Sequence, residues 1–335
     1  IMGELLFKSG LATKALDVLA MWFGKIPGRL ALIAVLGGAL MGAFSGSAMA
    51  STALLGTTLA PEMKARGYHI TMNVGPIMGS GGLAMIIPPS GLAIVLASIA
   101  EVSAGRLLIA GILPGILMAV LYASSILIRC KINPALAPSY DVEKVELGER
   151  IKQTIIHLFP IGAVIILVLG LIFLGIVTAS ESAAVGVVGS LIVALIFGKK
   201  TSLKMFIESI NDTLRTSGML LFIIAAAIGF SQLISYTGAS RGFVNLMLSV
   251  SDVGYVLVIM MMLIVVILGM FLDPPSIIMI TIPLFIPVVQ ALGFGEIWFC
   301  MLFLICLQIG QTTPPVGLVL FVMKGILPFQ VNMSD

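Results

Sequence analysis

Apolar residues run in long stretches along this chain, broken by short words rich in serine, glycine, proline or aspartate. Residues 30–44 form one stretch, Ser45-Gly46-Ser47 follows, and residues 48–59 form a second. Neither reaches the roughly 20 residues that about 30 Å of hydrocarbon requires at about 1.5 Å per residue. Glycine accepts unusual backbone angles and serine caps helices. The pattern therefore predicts a helical hairpin over 30–62 that enters a membrane and turns back inside it. Irregular backbone at that depth survives only where protein or a water-filled cavity satisfies it, so the tip is expected to line a site.

The same grammar continues. Residues 1–7 read as the end of a spanning helix, and 8–29 as an amphipathic helix in the interface, with apolar positions at 11, 15, 16, 19, 22 and 23 beside Lys8, Lys14, Lys25 and Arg29. Residues 70–100 are apolar but interrupted by Gly79-Ser80-Gly81-Gly82 and Pro88-Pro89-Ser90-Gly91. Proline removes a helix donor and clashes with the preceding turn, which predicts a broken spanning helix. Spans are expected over 106–129, 155–177, 182–198 and 217–236, with a polar loop at 130–153 and a basic amphipathic link at 199–216. Thr178 and Glu181 have capping-box spacing. Residues 254–291 hold two apolar runs separated by Asp273-Pro274-Pro275-Ser276, and 296–327 is broken at Gln311-Thr312-Thr313-Pro314-Pro315. Residues 254–272 are long enough to span alone. Reading them as a hairpin arm rests on analogy with the first hairpin, and if both arms span, the Asp273 turn moves to a surface.

Sliding the chain by 228 places Ser9-Gly10 on Thr237-Gly238 and the run before Ser45 on the run before Asp273. With a two-residue gap, Pro88-Pro89-Ser90-Gly91-Leu92 falls on Pro314-Pro315-Val316-Gly317-Leu318. Each unit reads as spanning helix, interfacial helix, hairpin and broken helix. The odd number of spans between the units inverts the second, the pattern of secondary transporters. Charge agrees with that topology: of the 18 Lys and Arg residues, all but Arg106 and Arg241 fall on one side, which the positive-inside rule makes cytoplasmic. The expected organisation is 1–29 (end of a scaffold helix and its arm), 30–129 (first transport half), 130–153 (cytoplasmic loop), 154–253 (scaffold helices and second arm) and 254–335 (second transport half, truncated). Unmatched segments in the repeat imply further helices before residue 1 and after residue 335.

Composition sets the class. The chain has 335 residues, 59% hydrophobic and 10% charged, with a mean hydropathy of +1.19, against roughly 25% charged in soluble domains. The fold class is an all-α polytopic membrane protein with inverted repeats, each carrying a re-entrant hairpin and a broken transmembrane helix. Cys130, Cys300 and Cys306 form no metal or redox spacing, and His69 and His157 are isolated. No phosphate-binding loop appears and nothing supports an enzyme, a nucleic-acid partner or an organic cofactor.

The turns and breaks carry the candidate chemistry. A helix end offers unpaired carbonyls that suit a cation, and a helix start offers N–H groups that suit an anion. Sodium is expected at Ser45, Gly46, Ser47, Ser80, Gly81, Asp273, Thr312 and Thr313. A carboxylate substrate is expected at Ser90, Gly82, Pro88, Pro89, Gln311, Pro314 and Pro315. The plainer alternatives are that Ser45 and Ser47 only cap a helix, that Ser80, Gly81 and Gly82 only permit close packing, that Thr312 and Thr313 back-bond to the preceding turn, and that Asp273 is a cap before Pro274.

Together these words resemble the large membrane subunit of tripartite ATP-independent periplasmic (TRAP) transporters. The resemblance rests on Gly3-Glu4-Leu5-Leu6, Ser9-Gly10-Leu11, Phe44-Ser45-Gly46-Ser47-Ala48, Ile86-Ile87-Pro88-Pro89-Ser90, Ala110-Gly111-Ile112-Leu113-Pro114-Gly115, Leu272-Asp273-Pro274 and Thr313-Pro314-Pro315-Val316-Gly317-Leu318. Thr178-Ala179-Ser180-Glu181-Ser182-Ala183-Ala184 departs slightly from the family's usual Thr-Pro-Thr-Glu-Ala-Ala. The resemblance implies sodium-coupled uptake of an organic acid across the bacterial inner membrane, by an elevator movement of the hairpins and broken helices against a fixed scaffold. It also implies two partners, a small four-helix membrane subunit and a periplasmic substrate-binding protein. The competing readings are a stand-alone sodium–carboxylate symporter of related build and a non-transporting membrane scaffold.

Overall fold

The computed structural model describes residues 1–141, 145–198, 202–251 and 253–327, without the side chains of Ala43, Phe44 and Ser45. The described helices run α1 (Met2–Lys8), α2 (Leu11–Trp22), α3 (Arg29–Ser45), α4 (Ala48–Ala65), α5 (Ile70–Gly81), α6 (Gly91–Ile99), α7 (Ala104–Ile132), α8 (Leu147–Gln153) and α9 (Phe159–Phe173). They continue as α10 (Ala179–Phe197), α11 (Leu203–Tyr236), α12 (Ala239–Val250), α13 (Gly254–Gly269), α14 (Pro274–Ala291), α15 (Glu296–Thr312) and α16 (Leu318–Ile326). No strand occurs among the described residues. Among the described residues, five helical stretches are long and apolar enough to cross a membrane: α7, α8 with α9, α10, α11 and α14.

The polar words punctuate these helices. Gly46 closes α3 in the left-handed region at φ 58°, which glycine adopts without steric cost. Ser47 then caps α4, its hydroxyl accepting the Ala50 N–H at 3.4 Å. Asp273 caps α14, accepting the Ser276 N–H at 3.2 Å and the Ser276 hydroxyl at 2.7 Å. Pro274 fills the first helical position, where a missing N–H is harmless. The first broken helix tightens through a 3-10 turn (Gly82–Met85) after α5 and resumes at α6, capped by Ser90. The second stops at Thr312 and resumes after Gly317, whose φ is 55°. Pro88-Pro89 and Pro314-Pro315 occupy the two gaps, each with a cis peptide bond.

The repeat is visible in the helix limits, and its register corrects the sequence alignment. Helices α2 and α12 are both 12 residues long and their limits differ by 228 (11 to 239, 22 to 250). Helices α4 and α14 are both 18 residues long, but their limits differ by 226 (48 to 274, 65 to 291). The two-residue gap thus falls before the hairpin turn, and Asp273 is the counterpart of Ser47 rather than of Ser45. The reason is the cap: a side-chain oxygen accepting an N–H of the first turn fixes where the second arm starts, whatever the length of the turn before it.

Packing is reciprocal between the units. Within each, the first hairpin arm lies on the first half of the broken helix, α3 on α5 and α13 on α15. Across them, α6 packs on α14 and α16 packs on α4, as a two-fold relation requires. Glycine makes the intra-unit contact possible: a Cβ on Gly42 would sit 2.6 Å from the Ala84 Cα, and one on Gly269 would sit 2.9 Å from the Gly310 Cα. Both hairpins and α7 share one buried core, from Ile33 and Leu55 through Met261 and Ile278 to Phe299 and Leu307. A smaller core of Leu6, Leu11, Ala15, Met41, Ile161 and Val193 joins α1 and α2 to α3, α9 and α10. Outside it, large apolar side chains such as Leu113, Ile166 and Phe222 lie exposed along α7, α9 and α11, as lipid-facing positions do.

Two expected boundaries move. The link and span expected at 199–216 and 217–236 form, from Leu203 onward, one 34-residue helix capped by Ser202, because no proline interrupts it. The loop expected at 130–153 is shorter, since α7 continues to Ile132 and α8 begins at Leu147. Helix α8 continues into α9 through a π turn (Thr154–Leu158), onto which Trp22 of α2 donates from Nε1 to the Thr154 hydroxyl at 2.9 Å. Glu143, Lys144, Lys199 and Lys200, counted in the charge pattern or the loop, lie outside the described residues, as do positions 328–335 of the second transport half.

Candidate functional site

Each hairpin tip meets the break of its own unit. In the first, a Cβ on Gly46 would sit 3.1 Å from the Gly91 nitrogen and 3.9 Å from the Pro89 carbonyl oxygen. In the second, the Gly317 N–H donates to the Met270 carbonyl at 2.9 Å. Around Gly317 two further carbonyls converge, since a Cβ there would lie 2.9 Å from the Gln311 oxygen and 3.0 Å from the Thr313 oxygen. Carbonyl oxygens at the end of one half-helix, facing the turn of a hairpin, form a negative cradle. Among the described residues no cluster of three His, Cys, Asp or Glu exists, and the oxygens that converge at the second break are main-chain carbonyls.

The sequence-predicted sodium residues divide by location. Gly46 and Ser47 form the first tip; the Ser45 side chain lies outside the described residues. Ser80 is fully buried and donates to the Ile77 carbonyl at 3.2 Å, so its oxygen keeps acceptor capacity. Gly81 faces the Thr52 hydroxyl so closely that any Cβ would collide with it, and the Ala48 carbonyl is 3.2 Å from the same point. Asp273 is the α14 cap and both of its oxygens accept from Ser276. Thr312 and Thr313 back-bond, donating to the Ile309 carbonyl at 3.0 and 2.5 Å, and Thr312 also to Gln308. Their hydroxyl protons are thus committed within α15, and Thr313 enters the cradle through its main-chain oxygen.

The expected substrate residues also gather at the breaks. Ser90 is fully buried; it donates to the Met85 carbonyl at 2.8 Å and accepts the Ala93 N–H at 3.3 Å, which locks the start of α6. Pro88 and Pro89 precede it, and Pro314 and Pro315 precede α16. Gln311 is fully buried, and neither its Oε1 nor its Nε2 has a partner among the described residues. Gly82 does not face a free surface: a Cβ there would lie 2.5 Å from Gln308 side-chain atoms. A cavity of about 490 Å³ opens between the first tip and break (Gly46, Ala50, Pro89, Ser90, Gly91) and the helices α1, α9, α10 and α11. Glu4, Lys8, Thr213, Thr216 and Ser217 line its far wall. Lys8 there holds Asp212 of α11 at 2.5 Å.

Two buried residues beside these sites escape the sequence argument. Thr52, on the second arm of the first hairpin, and Gln308, on the second broken helix, each have a buried oxygen with no partner among the described residues. Such atoms cost about 1–3 kcal/mol when nothing satisfies them. Both are polar residues inside apolar runs, a signal that composition of the turns alone does not supply.

The family described as "Tripartite ATP-independent periplasmic transporter, DctM component" matches residues 1–334. The C4-dicarboxylate TRAP transporter large permease protein DctM of Pseudomonas aeruginosa is 31% identical over 97% of this chain and 75% of its own length. The 2,3-diketo-L-gulonate TRAP transporter large permease protein YiaN of Escherichia coli is 28% identical over 97% of this chain and 75% of its own. A crystal structure of the Alcanivorax borkumensis YdaH transporter, described as having an unusual topology, superposes with a TM-score of 0.65 at 15% identity. It covers 98% of this chain and 78% of that one, a likeness of fold.

Proposed function

The chain belongs to the DctM component family of TRAP transporters, and from that premise we propose sodium-coupled uptake of an organic acid anion across the bacterial inner membrane. The chain is a multi-pass membrane permease component rather than an enzyme. What supports sodium coupling is one observation: each hairpin tip closes on the break of its own unit, and in the second unit the Gln311 and Thr313 carbonyls converge there beside Met270. Sodium sits in these cradles, held by main-chain oxygens, that of Thr313 among them, and by the side-chain oxygens of Ser47, Ser80, Asp273 and Thr312. The organic acid sits in the cavity beside Gly46 and Ser90, its carboxylate at the N–H groups that open α6.

Transport in this reading is an elevator. The hairpins and broken helices share one core and form the moving body; α1, α9, α10 and α11 form the scaffold. The cavity between the two bodies is where the substrate crosses. The relatives' names supply the substrate class, a C4-dicarboxylate in one case and a sugar acid in the other. A small four-helix membrane subunit and a periplasmic substrate-binding protein complete the machine.

The test is uptake by proteoliposomes holding the full-length chain with both partners, offered labelled C4-dicarboxylates and sugar acids. Uptake driven by an inward sodium gradient, and absent with potassium, is expected. Uptake indifferent to sodium overturns the coupling. Uptake that needs no binding protein overturns the partnership and supports a stand-alone symporter.

A further inference from the structure

The repeat register has a consequence at the centre of the molecule. The offset of 226 that relates α4 to α14 and Pro88 to Pro314 also relates Gly82 to Gln308. These two residues touch: a Cβ on Gly82 would lie 2.5 Å from the Gln308 side chain. A residue that contacts its own repeat counterpart lies on the axis relating the units. The 3-10 turn after α5 packs on α15 at this point, while the flanking contacts, α6 with α14 and α16 with α4, exchange partners around it.

An axis position has room for one long side chain. Glycine on the first unit makes that room, and Gln308 of the second fills it, 98% buried. Its Nε2 donates to the Gly79 carbonyl at 3.0 Å and to the Tyr122 hydroxyl at 3.0 Å, while its Oε1 has no partner among the described residues. Gln308 is thus the hydrogen-bonded strut from the second broken helix to the first. The residues it joins lie next to both tip–break junctions: Gly79 adjoins Ser80 and Gly81, and Gln308 lies three residues before Gln311 and five before Thr313.

We propose that Gln308 is a positioning residue that couples the two cation sites, so that occupancy of one orders the other. This rests on the sodium reading above. A cation that orders the Ser80–Gly81 segment fixes the Gly79 carbonyl. The Gln308 amide then holds α15 in the register that aims the Gln311 and Thr313 carbonyls at the second site. Coupling of this kind is reciprocal and raises the steepness of sodium dependence.

The test is the sodium dependence of thermal stability of the purified full-length chain with its small membrane subunit, titrated with sodium chloride at constant ionic strength against potassium chloride. Wild type is expected to respond more steeply than a single-site hyperbola. Gln308→Met keeps the shape, removes both hydrogen bonds, and is expected to give a hyperbolic curve whose midpoint moves to about fivefold higher sodium or more. Tyr122→Phe removes one of the two acceptors, keeps the protein folded if Gln308→Met does not, and is expected to shift the curve in the same direction by less. A hyperbolic wild-type curve, or unchanged steepness in the variants, overturns the coupling. A wild type with no sodium response at all instead overturns the sodium reading on which the coupling rests.

Discussion

The two hairpin units share an architecture and differ in chemistry at matched positions. The first caps its second arm with Ser47, the second with Asp273. The first caps its resumed half-helix with Ser90, while the second reaches α16 through Gly317 with no side-chain cap. On the axis the first offers Gly82 and the second Gln308. Their bases differ as well. Arg29 and Arg66 stack on Tyr140 at the first, at 5.5 and 3.6 Å from the ring centre, and the Tyr68 hydroxyl accepts the Leu30 N–H. Tyr255, Phe294 and Trp298 pack together at the second. The units share a backbone path and differ in side chains, so that the acidic tip and the convergent carbonyls lie together in the second unit and a cavity of about 490 Å³ lies beside the tip of the first.

The shared backbone gives the largest expected effects. Gly42→Leu and Gly269→Leu each drive a side chain into main-chain atoms, an overpacking cost of about 3 kcal/mol or more. Both are expected to abolish recovery of folded protein, measured by size-exclusion elution in detergent. If only one does, the units are not packed alike.

The tips sharpen the contrast next. Asparagine caps helices about as well as aspartate, so Asp273→Asn is expected to keep thermal stability within about 0.5 kcal/mol while weakening sodium dependence of uptake about tenfold, or about 1.4 kcal/mol. Ser47→Ala removes a cap and is expected to cost about 1 kcal/mol of stability with a smaller sodium effect. Equal sodium effects at the two tips would erase the distinction.

Thr52→Val separates a ligand from a packing residue. A buried hydroxyl that binds nothing is neutral or stabilising to replace by a methyl group. The expected outcome is unchanged or raised melting temperature in potassium and a reduced sodium-induced shift, read from the same melting curves.

The smallest effect concerns the first base alone. Burial pushes the Tyr68 hydroxyl up to about 12 from its ordinary value of 10. Its neutral form is therefore favoured in the folded state, and the stability this contributes is full below pH about 10 and lost as pH rises towards 12. Tyr68→Phe is expected to flatten that alkaline loss in melting curves.

Much of this plan was legible in the residues. Ser47, Ser90 and Asp273 are capping types placed between apolar runs, and Pro88-Pro89 and Pro314-Pro315 cannot continue a helix, so turns and breaks follow from local chemistry. The register at Asp273 was not legible, because identities between the units are too few to place a two-residue gap; helix caps place it. Nor was the role of Gln308. Its meaning comes from Gly79, Gly82 and Tyr122, residues far away in sequence that only packing brings to it. The back-bonded hydroxyls of Thr312 and Thr313 likewise depend on rotamers that no sequence pattern specifies.

The most direct measurement is an experimental density map of the full-length chain with its small membrane subunit in lipid nanodiscs, recorded in sodium and again in potassium. The account predicts Gly46 against Gly91 and Met270 against Gly317 within the hydrocarbon layer, with density between the Gln311 and Thr313 carbonyls in sodium alone. Tips at the headgroup level, or the same empty cradle in both salts, would contradict it.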